Sequence, residues 1–130
     1  MGPRRPRPLV LDAGALIAFE RNDARIRTLI ELAMVHAGAL HAPAGVVAQV
    51  WRDGKRQARL ARLLGSGVIS VQPLSLDEAQ AVGVLCGRSR SRDVVDASVA
   101  LLARRFRAAV VTSDPDDLRR IDPDIDLVVC

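Results

Sequence analysis

Two short apolar runs in this chain end in aspartate, and this pattern constrains the fold more than any other feature. Residues 9–11 are followed directly by Asp12, and residues 108–111 lead through two hydroxyl residues to Asp114. A short apolar run bounded by turn residues is typical of a buried strand in a parallel sheet. In open α/β sheets, ligands bind beyond the carboxyl ends of such strands. The pattern predicts an α/β protein with acidic side chains at one edge of its sheet.

A third acidic segment lies between these two runs. Asp93 and Asp96 stand at the head of an apolar, helix-like stretch and are separated by about one turn. Carboxylates that lie within a few ångströms of one another hold raised pKa values unless a cation neutralises them. Carboxylate, carbonyl and water oxygens are ligands that suit Mg²⁺ or Mn²⁺. The sequence therefore predicts a site for a hard divalent metal ion.

The length of 130 residues predicts one domain over residues 9–130, preceded by a flexible Pro/Arg-rich arm over residues 1–8. The two cysteines, Cys86 and Cys130, supply neither a disulfide framework nor a metal cluster, which is typical of a reducing cytosol. No uncharged apolar stretch reaches about eighteen residues, and the basic arm lacks a following signal-type region. We therefore expect a soluble cytoplasmic protein with no membrane partner.

The basic residues are unusual in kind, because Lys55 is the only lysine among nineteen. Arginine grips phosphate bidentately, so this balance favours polyanionic partners such as RNA. A GC-rich genome also encodes an arginine-rich chain, and both explanations stay open. Aromatic residues are few and tyrosine is absent. A protein that reads single strands by stacking bases on aromatic side chains is therefore disfavoured.

Hydrophobic spacing and turn residues predict alternating strands and helices. Strands are expected at residues 9–12, 39–42, 68–71, 108–112 and 126–129. Helices are expected at residues 13–19, 43–51, 55–64, 75–86 and 93–106, and from residue 115 onward. A further helix is expected between a cap at Asp23 and a stop at Gly38. Residues 87–92 are expected to form a polar loop. This alternation predicts a three-layer α/β/α sandwich with a mostly parallel, about five-stranded central sheet.

Three segments resemble a known family. The start from Leu9 to Ala18, the segment Asp93-Val94-Val95-Asp96-Ala97 and the ending from Val110 to Leu118 are similar to a PIN domain. The length and spacing, over residues 9–129, resemble the VapC-type toxins of bacterial toxin–antitoxin modules. The resemblance implies a PIN-like fold and a Mg²⁺- or Mn²⁺-dependent endoribonuclease, usually a homodimer, that is inhibited by a cognate antitoxin.

The resemblance assigns catalysis and metal binding to Asp12, Asp96 and Asp114. A metal ion held there could polarise the scissile phosphodiester and lower the pKa of a bound water. Thr112 and Ser113 are assigned supporting roles as hydrogen-bonding groups. Asp93 is expected either to cap its helix or to support the metal site, and Asp116 to contribute from outside the direct ligands. Asp117 is better explained by the preference for acidic residues in the first turn of a helix.

Gln49 departs from the PIN pattern, which normally has a glutamate on the helix after the second strand. An amide coordinates only through a neutral oxygen, so this change should weaken binding of a divalent ion. Asp53 and Glu20 are possible substitutes for the missing charge. The alternative function is therefore a catalytically weakened PIN fold that binds RNA or an antitoxin.

Arginines next to the acidic segments predict a path for RNA. Arg88, Arg90 and Arg92 lead into Asp93, and Arg52 stands near Gln49. A solvated loop is an equally good explanation of Arg88, Arg90 and Arg92.

Apolar residues of the early helices could receive the antitoxin, although each of them could instead fill the core: Leu16, Ile17, Leu29, Leu60 and Leu63. A receiver fold is disfavoured because it needs a lysine after a late strand, and none is present there. A phosphatase fold is disfavoured because it needs a second aspartate two residues after Asp12, where Gly14 stands.

Overall fold

The computed structural model describes residues 7–36 and 38–130, which contain five strands and seven helices. The strands are β1 (Leu9–Leu11), β2 (Leu40–Pro43), β3 (Ile69–Gln72), β4 (Ala109–Thr112) and β5 (Leu127–Val129). The helices are α1 (Ala13–Glu20), α2 (Ala24–Val35), α3 (Ala44–Val50), α4 (Ala58–Gly65), α5 (Leu76–Ser89), α6 (Val94–Phe106) and α7 (Pro115–Ile121). None of these helices is long and apolar enough to cross a membrane.

The five strands form one parallel sheet in the order β3-β2-β1-β4-β5. The central pair β1 and β4 is in register with Leu11 opposite Val111, so both strands end at the same height. Their following residues, Asp12 and Thr112, therefore start from the same edge of the sheet. The predicted parallel α/β fold is confirmed.

Helices cover both faces of the sheet. Helix α6 packs on β1, β2 and β4 and carries α5 and α7 beside it, while α1 packs with α2, α3 and α4. The central strand residues Val10, Leu11, Val110 and Val111 are completely buried. Burial on both faces explains why these strands are continuous apolar runs without polar alternation. The arrangement is PIN-like.

Helix α5 is longer than the sequence predicted. It continues through Gly87 to Ser89, whereas the prediction ended it near Cys86 and assigned residues 87–92 to a loop. The helix stops where Arg90 adopts a left-handed conformation, at φ 57°, and the Ser91 amide donates to the Cys86 carbonyl. The Ser89 hydroxyl also donates to the Leu85 carbonyl. The left-handed turn falls on an arginine, so Gly87 was a misleading stop signal.

Helix α4 begins later than predicted, at Ala58 and not at Lys55. The Gln57 side chain explains the difference, because its oxygen accepts from the Arg52 and Asp53 amides at 2.7 and 3.0 Å. Its nitrogen donates to the Val50 carbonyl at 2.8 Å. These bonds hold residues 51–57 as a compact turn between two helices.

The predicted arm over residues 1–8 lies mostly outside the described residues, which begin at Arg7. That residue pairs with Asp126 at 2.6 Å and donates to the Arg107 carbonyl at 3.2 Å. These contacts join the chain before β1 to the amino-terminal edge of the sheet, away from the acidic edge. The division between arm and domain remains a prediction.

Candidate active site at the carboxyl edge of the sheet

Asp12 is fixed at the junction of β1 and α1. Its carboxylate caps α1 by accepting from the Ala15 amide at 3.0 Å, and its own amide donates to the Val111 carbonyl of β4. The side chain is buried, with 7% of the residue exposed. Burial raises the pKa of Asp12, the Thr112 hydroxyl and the helix amides oppose this rise, and the charge of Asp114 adds to it. Asp12 is therefore a rigid carboxylate that keeps a proton more readily than an exposed one.

Thr112 joins Asp12 to Asp114. It is fully buried at the end of β4, its hydroxyl contacts the Asp12 carboxylate, and its oxygen accepts from the Asp114 amide at 2.9 Å. Ser113 lies against Gly14 at the start of α1. The two chain segments that leave β1 and β4 are thus held together through side chains that the sequence identified only as possible supporting groups.

Asp93 and Asp96 occupy the start of α6. The Asp93 carboxylate accepts from the Asp96 amide at 2.9 Å, so Asp93 is the helix cap, as the sequence predicted. Partial burial and the charges of Asp93, Asp12 and Asp117 raise the pKa of Asp96 to about 7. Asp96 therefore lies within electrostatic range of carboxylates on two other elements of the fold.

Asp114 and Asp117 form a second carboxylate pair at the start of α7. A hydrogen bond between the two side chains, together with the charge of Asp114, raises the pKa of Asp117. Asp93 adds to this rise, and Arg120 opposes it through an ion pair at 2.8 Å. The acidic groups around Asp117 therefore outweigh the opposing charge of Arg120.

Asp93, Asp96 and Asp117 line a cleft of about 320 Å³, whereas Asp12 and Asp114 do not line it. Its lining combines three carboxylates with three guanidinium groups: Asp93, Asp96, Asp117, Arg90, Arg92 and Arg120, with Ser89, Ser91 and Ile121 between them. Two of the predicted RNA-binding residues, Arg90 and Arg92, are therefore in the cleft. Arg88 is exposed on α5 and does not line it.

Two cleft residues, Asp117 and Arg120, were not selected from the sequence. Asp116, which was preferred to Asp117, is directed to Arg119 at 3.9 Å and does not line the cleft. Both aspartates satisfy the same preference for acidic residues near a helix start, so composition could not separate them. The available signal was spacing, because residues 114, 117 and 120 recur every three positions on one side of α7.

Gln49 is on the exposed side of α3, one turn beyond Gly45, which packs against Val95 of α6. The suggested substitutes for its missing charge are occupied elsewhere. Glu20 accepts from the Leu60 amide at 2.9 Å, and Asp53 accepts from the Lys55 amide at 3.0 Å. Arg52, in the turn after α3, donates to the carbonyls of Ala48 and Trp51 at the end of that helix.

The carboxylates fit a hydrated divalent ion. Within residues 7–36 and 38–130, no three His, Cys, Asp or Glu side chains converge in a geometry that holds a metal ion directly. Mg²⁺ commonly keeps several waters and uses only one or two protein carboxylates. Burial raises the pKa of Asp12 and Asp96, and the neighbouring Asp114 raises that of Asp117, so a cation beside these groups would favour their charged forms. Chemistry and charge both suit an ion that retains part of its water shell.

The PIN domain family profile matches residues 9–123, which include every acidic residue of the cleft. This chain belongs to the PIN domain family. PIN domains are typically metal-dependent nucleases and generally use divalent ions. No curated protein shows a significant match to this PIN domain.

Several solved structures share the fold. The VapC20 toxin of Mycobacterium tuberculosis, described as cleaving the sarcin–ricin loop, has a TM-score of 0.60 at 20% identity, over 78% of this chain and 86% of that one. VapBC2 of Rickettsia felis, bound to a DNA fragment from its promoter, has a TM-score of 0.71 at 15% identity, over 94% and 98%. FitAcB of Neisseria gonorrhoeae has a TM-score of 0.58 at 16% identity, over 92% and 95%. The predicted family resemblance is therefore confirmed at the level of fold.

Proposed function

We propose that this PIN domain is a Mg²⁺- or Mn²⁺-dependent endoribonuclease and the toxin of a VapBC-like toxin–antitoxin module. One observation carries the proposal: burial raises the pKa of Asp12 and Asp96, neighbouring acidic groups add to both shifts and raise the pKa of Asp117, and the adjoining cleft also contains arginines. An uncompensated acidic cluster attracts a divalent cation, and the arginines suit the phosphates of a polyanion.

Asp12, Asp96 and Asp114 are the residues that would hold the ion, and a bound ion supplies positive charge that polarises a phosphodiester and acidifies water. Thr112 positions both Asp12 and Asp114. Asp93 caps the start of α6 by accepting from the Asp96 amide. Ser113, Asp116 and Gln49 are proposed only as supporting residues.

The arginines bind and orient the RNA. Arg90 and Arg92 line the cleft, and within the described part of the chain neither forms an ion pair. Their guanidinium groups are therefore available for bidentate contacts with phosphate. Arg88 and Arg52 would extend the contact outside the cleft.

The direct test is RNA cleavage by the purified protein. Structured RNA should be cut with Mg²⁺ or Mn²⁺ and left intact with EDTA, and Asp12→Asn or Asp96→Asn should abolish cutting. Asp124→Asn is a matched control, because it makes the same chemical change at the opposite edge of the sheet. Cutting that survives EDTA and both cleft substitutions would overturn the proposal.

Gln49 supports the alternative, a PIN fold with weakened catalysis that mainly binds RNA or an antitoxin. An exposed amide replaces the carboxylate usual in the family, and neither Glu20 nor Asp53 is free to replace it. Tight RNA binding without cleavage by the wild-type protein would favour this alternative.

A groove of about 400 Å³ beside α2 and α4 is the proposed antitoxin site. Its walls are apolar and its rim carries several arginines: Phe19, Ile30, Met34, Leu63, Val68, Arg27, Arg59 and Arg62. Of the apolar residues proposed from the sequence, Leu16, Leu60 and Leu63 are buried in the core, and of these three only Leu63 also lines the groove. An amphipathic helix with acidic flanks would match this surface.

Self-association is the remaining part of the proposal. Two exposed apolar residues, Leu74 and Val94, line a recess of about 140 Å³ beside β3 and the start of α6. Two more, Val71 and Leu76, are exposed within three residues of Leu74 in the chain. Such a surface is unusual on a monomer and suits a homodimer interface. Light scattering should give a dimer mass, and Leu76→Glu should reduce it to a monomer without unfolding the chain.

A further inference from the structure

Arg120 has a different environment from the adjacent Arg119. Each forms an ion pair with the aspartate three residues before it, at 2.8 Å for Asp117–Arg120 and 3.9 Å for Asp116–Arg119. Only the Asp117–Arg120 pair lines the acidic cleft. The same short helix therefore provides one arginine directed to the cleft and a matched one beside it.

The backbone that carries Arg120 is fixed relative to the carboxylates. Its neighbours Leu118 and Ile121 are buried, and Ile121 packs in a cluster with Ala97, which directly follows Asp96. The guanidinium group itself is free to move, since 75% of the Arg120 side chain is exposed. A long flexible side chain on a fixed base can change partners without any change in the fold.

The carboxylate that pairs with Arg120 also interacts with other acidic residues. Asp117 lines the cleft together with Asp93 and Asp96 and lies close to Asp114, so it is crowded by acidic groups as well as paired with Arg120. An exposed ion pair between residues on one helix is weak in water. A cation that neutralised the Asp114–Asp117 pair would remove the attraction that holds Arg120.

We propose that Arg120 is a substrate-contacting residue that exchanges its ion pair with Asp117 for a phosphate of the RNA when a divalent cation neutralises the Asp114–Asp117 pair. Arg120 would then join Arg90 and Arg92, which line the same cleft. Guanidinium groups bind phosphate through paired hydrogen bonds, which a carboxylate partner blocks. The proposal rests on the proposed function, because it assumes that RNA enters this cleft.

RNA binding tests the exchange without relying on cleavage. Anisotropy of a fluorescein-labelled mixed-sequence RNA would be measured in EDTA and in Ca²⁺, for wild type, Arg120→Ala, Arg120→Lys and the control Arg119→Ala. Arg120→Ala should weaken binding about tenfold in Ca²⁺ and little in EDTA, and Arg120→Lys should recover part of the loss. The slope of log affinity against log salt in Ca²⁺ should become shallower by about 0.7 for Arg120→Ala.

Asp117→Asn should free Arg120 without a cation and raise RNA affinity in EDTA. Removal of a negative charge alone could give the same increase, so Asp117→Asn/Arg120→Ala separates the two causes. The increase should disappear in the double variant if Arg120 carries it. An increase that survives in the double variant, or equal losses for Arg120→Ala and Arg119→Ala, would overturn the exchange and leave the nuclease assignment intact. A wild-type protein that binds no RNA in either condition would overturn both.

Discussion

Gly14 and Ser113 are packed so closely that residue 14 has no room for a β-carbon. A β-carbon there would overlap the Ser113 hydroxyl and lie 3.0 Å from Ser113 Cβ and 3.2 Å from its amide nitrogen. Rotation of the serine side chain relieves only the first of these contacts. The start of α1 and the exit of β4 therefore approach as closely as they do because residue 14 is glycine. These are the segments that carry Asp12 and Asp114.

Gly14→Ala should separate those segments. The overlap should cost about 1–3 kcal/mol of unfolding free energy, although alanine favours the helix by up to about 1 kcal/mol. Metal binding and RNA cleavage should also fall, because the displaced segment carries Asp114, one of the proposed metal ligands. Chemical denaturation and calorimetric titration with Mn²⁺ would measure the two effects.

Gly83→Ala is the control for this substitution, because a β-carbon on Gly83 of α5 meets no atom within 4 Å. It should stabilise the protein slightly and leave metal binding unchanged. Ser113→Gly combined with Gly14→Ala should recover part of the lost function. If Gly14→Ala behaves like Gly83→Ala, the close approach has no functional importance.

The stability of the metal-free protein should fall as pH rises from about 4 to about 7. The folded state keeps a proton on Asp96, whose pKa is raised to about 7, while the unfolded chain loses it near the ordinary value of 3.8. Asp96→Asn should reduce this dependence, leaving the part due to Asp12 and Asp117. It should stabilise the metal-free protein at pH 7.5 by about 1–2 kcal/mol, after allowance for solvent screening of a half-exposed carboxylate. Thermal unfolding in EDTA across this pH range is the measurement.

The effect of Mg²⁺ on thermal stability is a second test of the role of Asp96. It should raise the unfolding temperature of the wild type at pH 7.5, because binding to the folded state relieves the crowded carboxylates, and it should have less effect on Asp96→Asn. Equal Mg²⁺ responses in the two proteins would show that the ion binds away from Asp96.

His41 should produce a pH dependence of opposite sign. The ring is buried against Phe106, with centroids 3.8 Å apart, and its Nδ1 has no hydrogen-bond partner among the described residues. Burial, with a smaller contribution from the charge of Arg105, lowers the pKa of His41 below its ordinary value of 6.5. The unfolded chain therefore takes up a proton that the folded state resists, so stability is lost as pH falls below about 6.5.

His41→Phe should remove this loss while it keeps the stacked ring. Because His41 and Asp96 act in overlapping pH ranges with opposite signs, each is best measured in a protein that lacks the other. In the Asp96→Asn background, His41→Phe should flatten the curve of unfolding temperature between pH 5 and 7. A slope that persists there would assign the acid sensitivity to another group.

Local signals were sufficient for much of the fold and part of the site. Residues 9–11 and 108–111 are apolar because both sheet faces are covered, so Asp12 and Asp114 could be placed at strand ends from sequence alone. The end of α5 could not, because Arg90 adopts the left-handed turn although Gly87 is the better residue for it. The contact of Gly14 with Ser113 joins residues about a hundred positions apart in the chain. A local sequence pattern cannot predict such a long-range contact.

Gln49→Glu should show whether the missing carboxylate matters. Gln49 is exposed on α3, one turn from Gly45, which packs against the start of α6 beside Asp96. A glutamate at this position adds negative charge on α3, which packs against α6, so Mn²⁺ affinity should rise about tenfold if its carboxylate reaches the ion. Gln80→Glu is the control, because it makes the same change on the exposed surface of α5. Tighter binding with faster RNA cleavage would identify Gln49 as the residue that limits activity. Unchanged calorimetric affinity would show that the acidic residues of β1, α6 and α7 already supply all the charge that the ion requires.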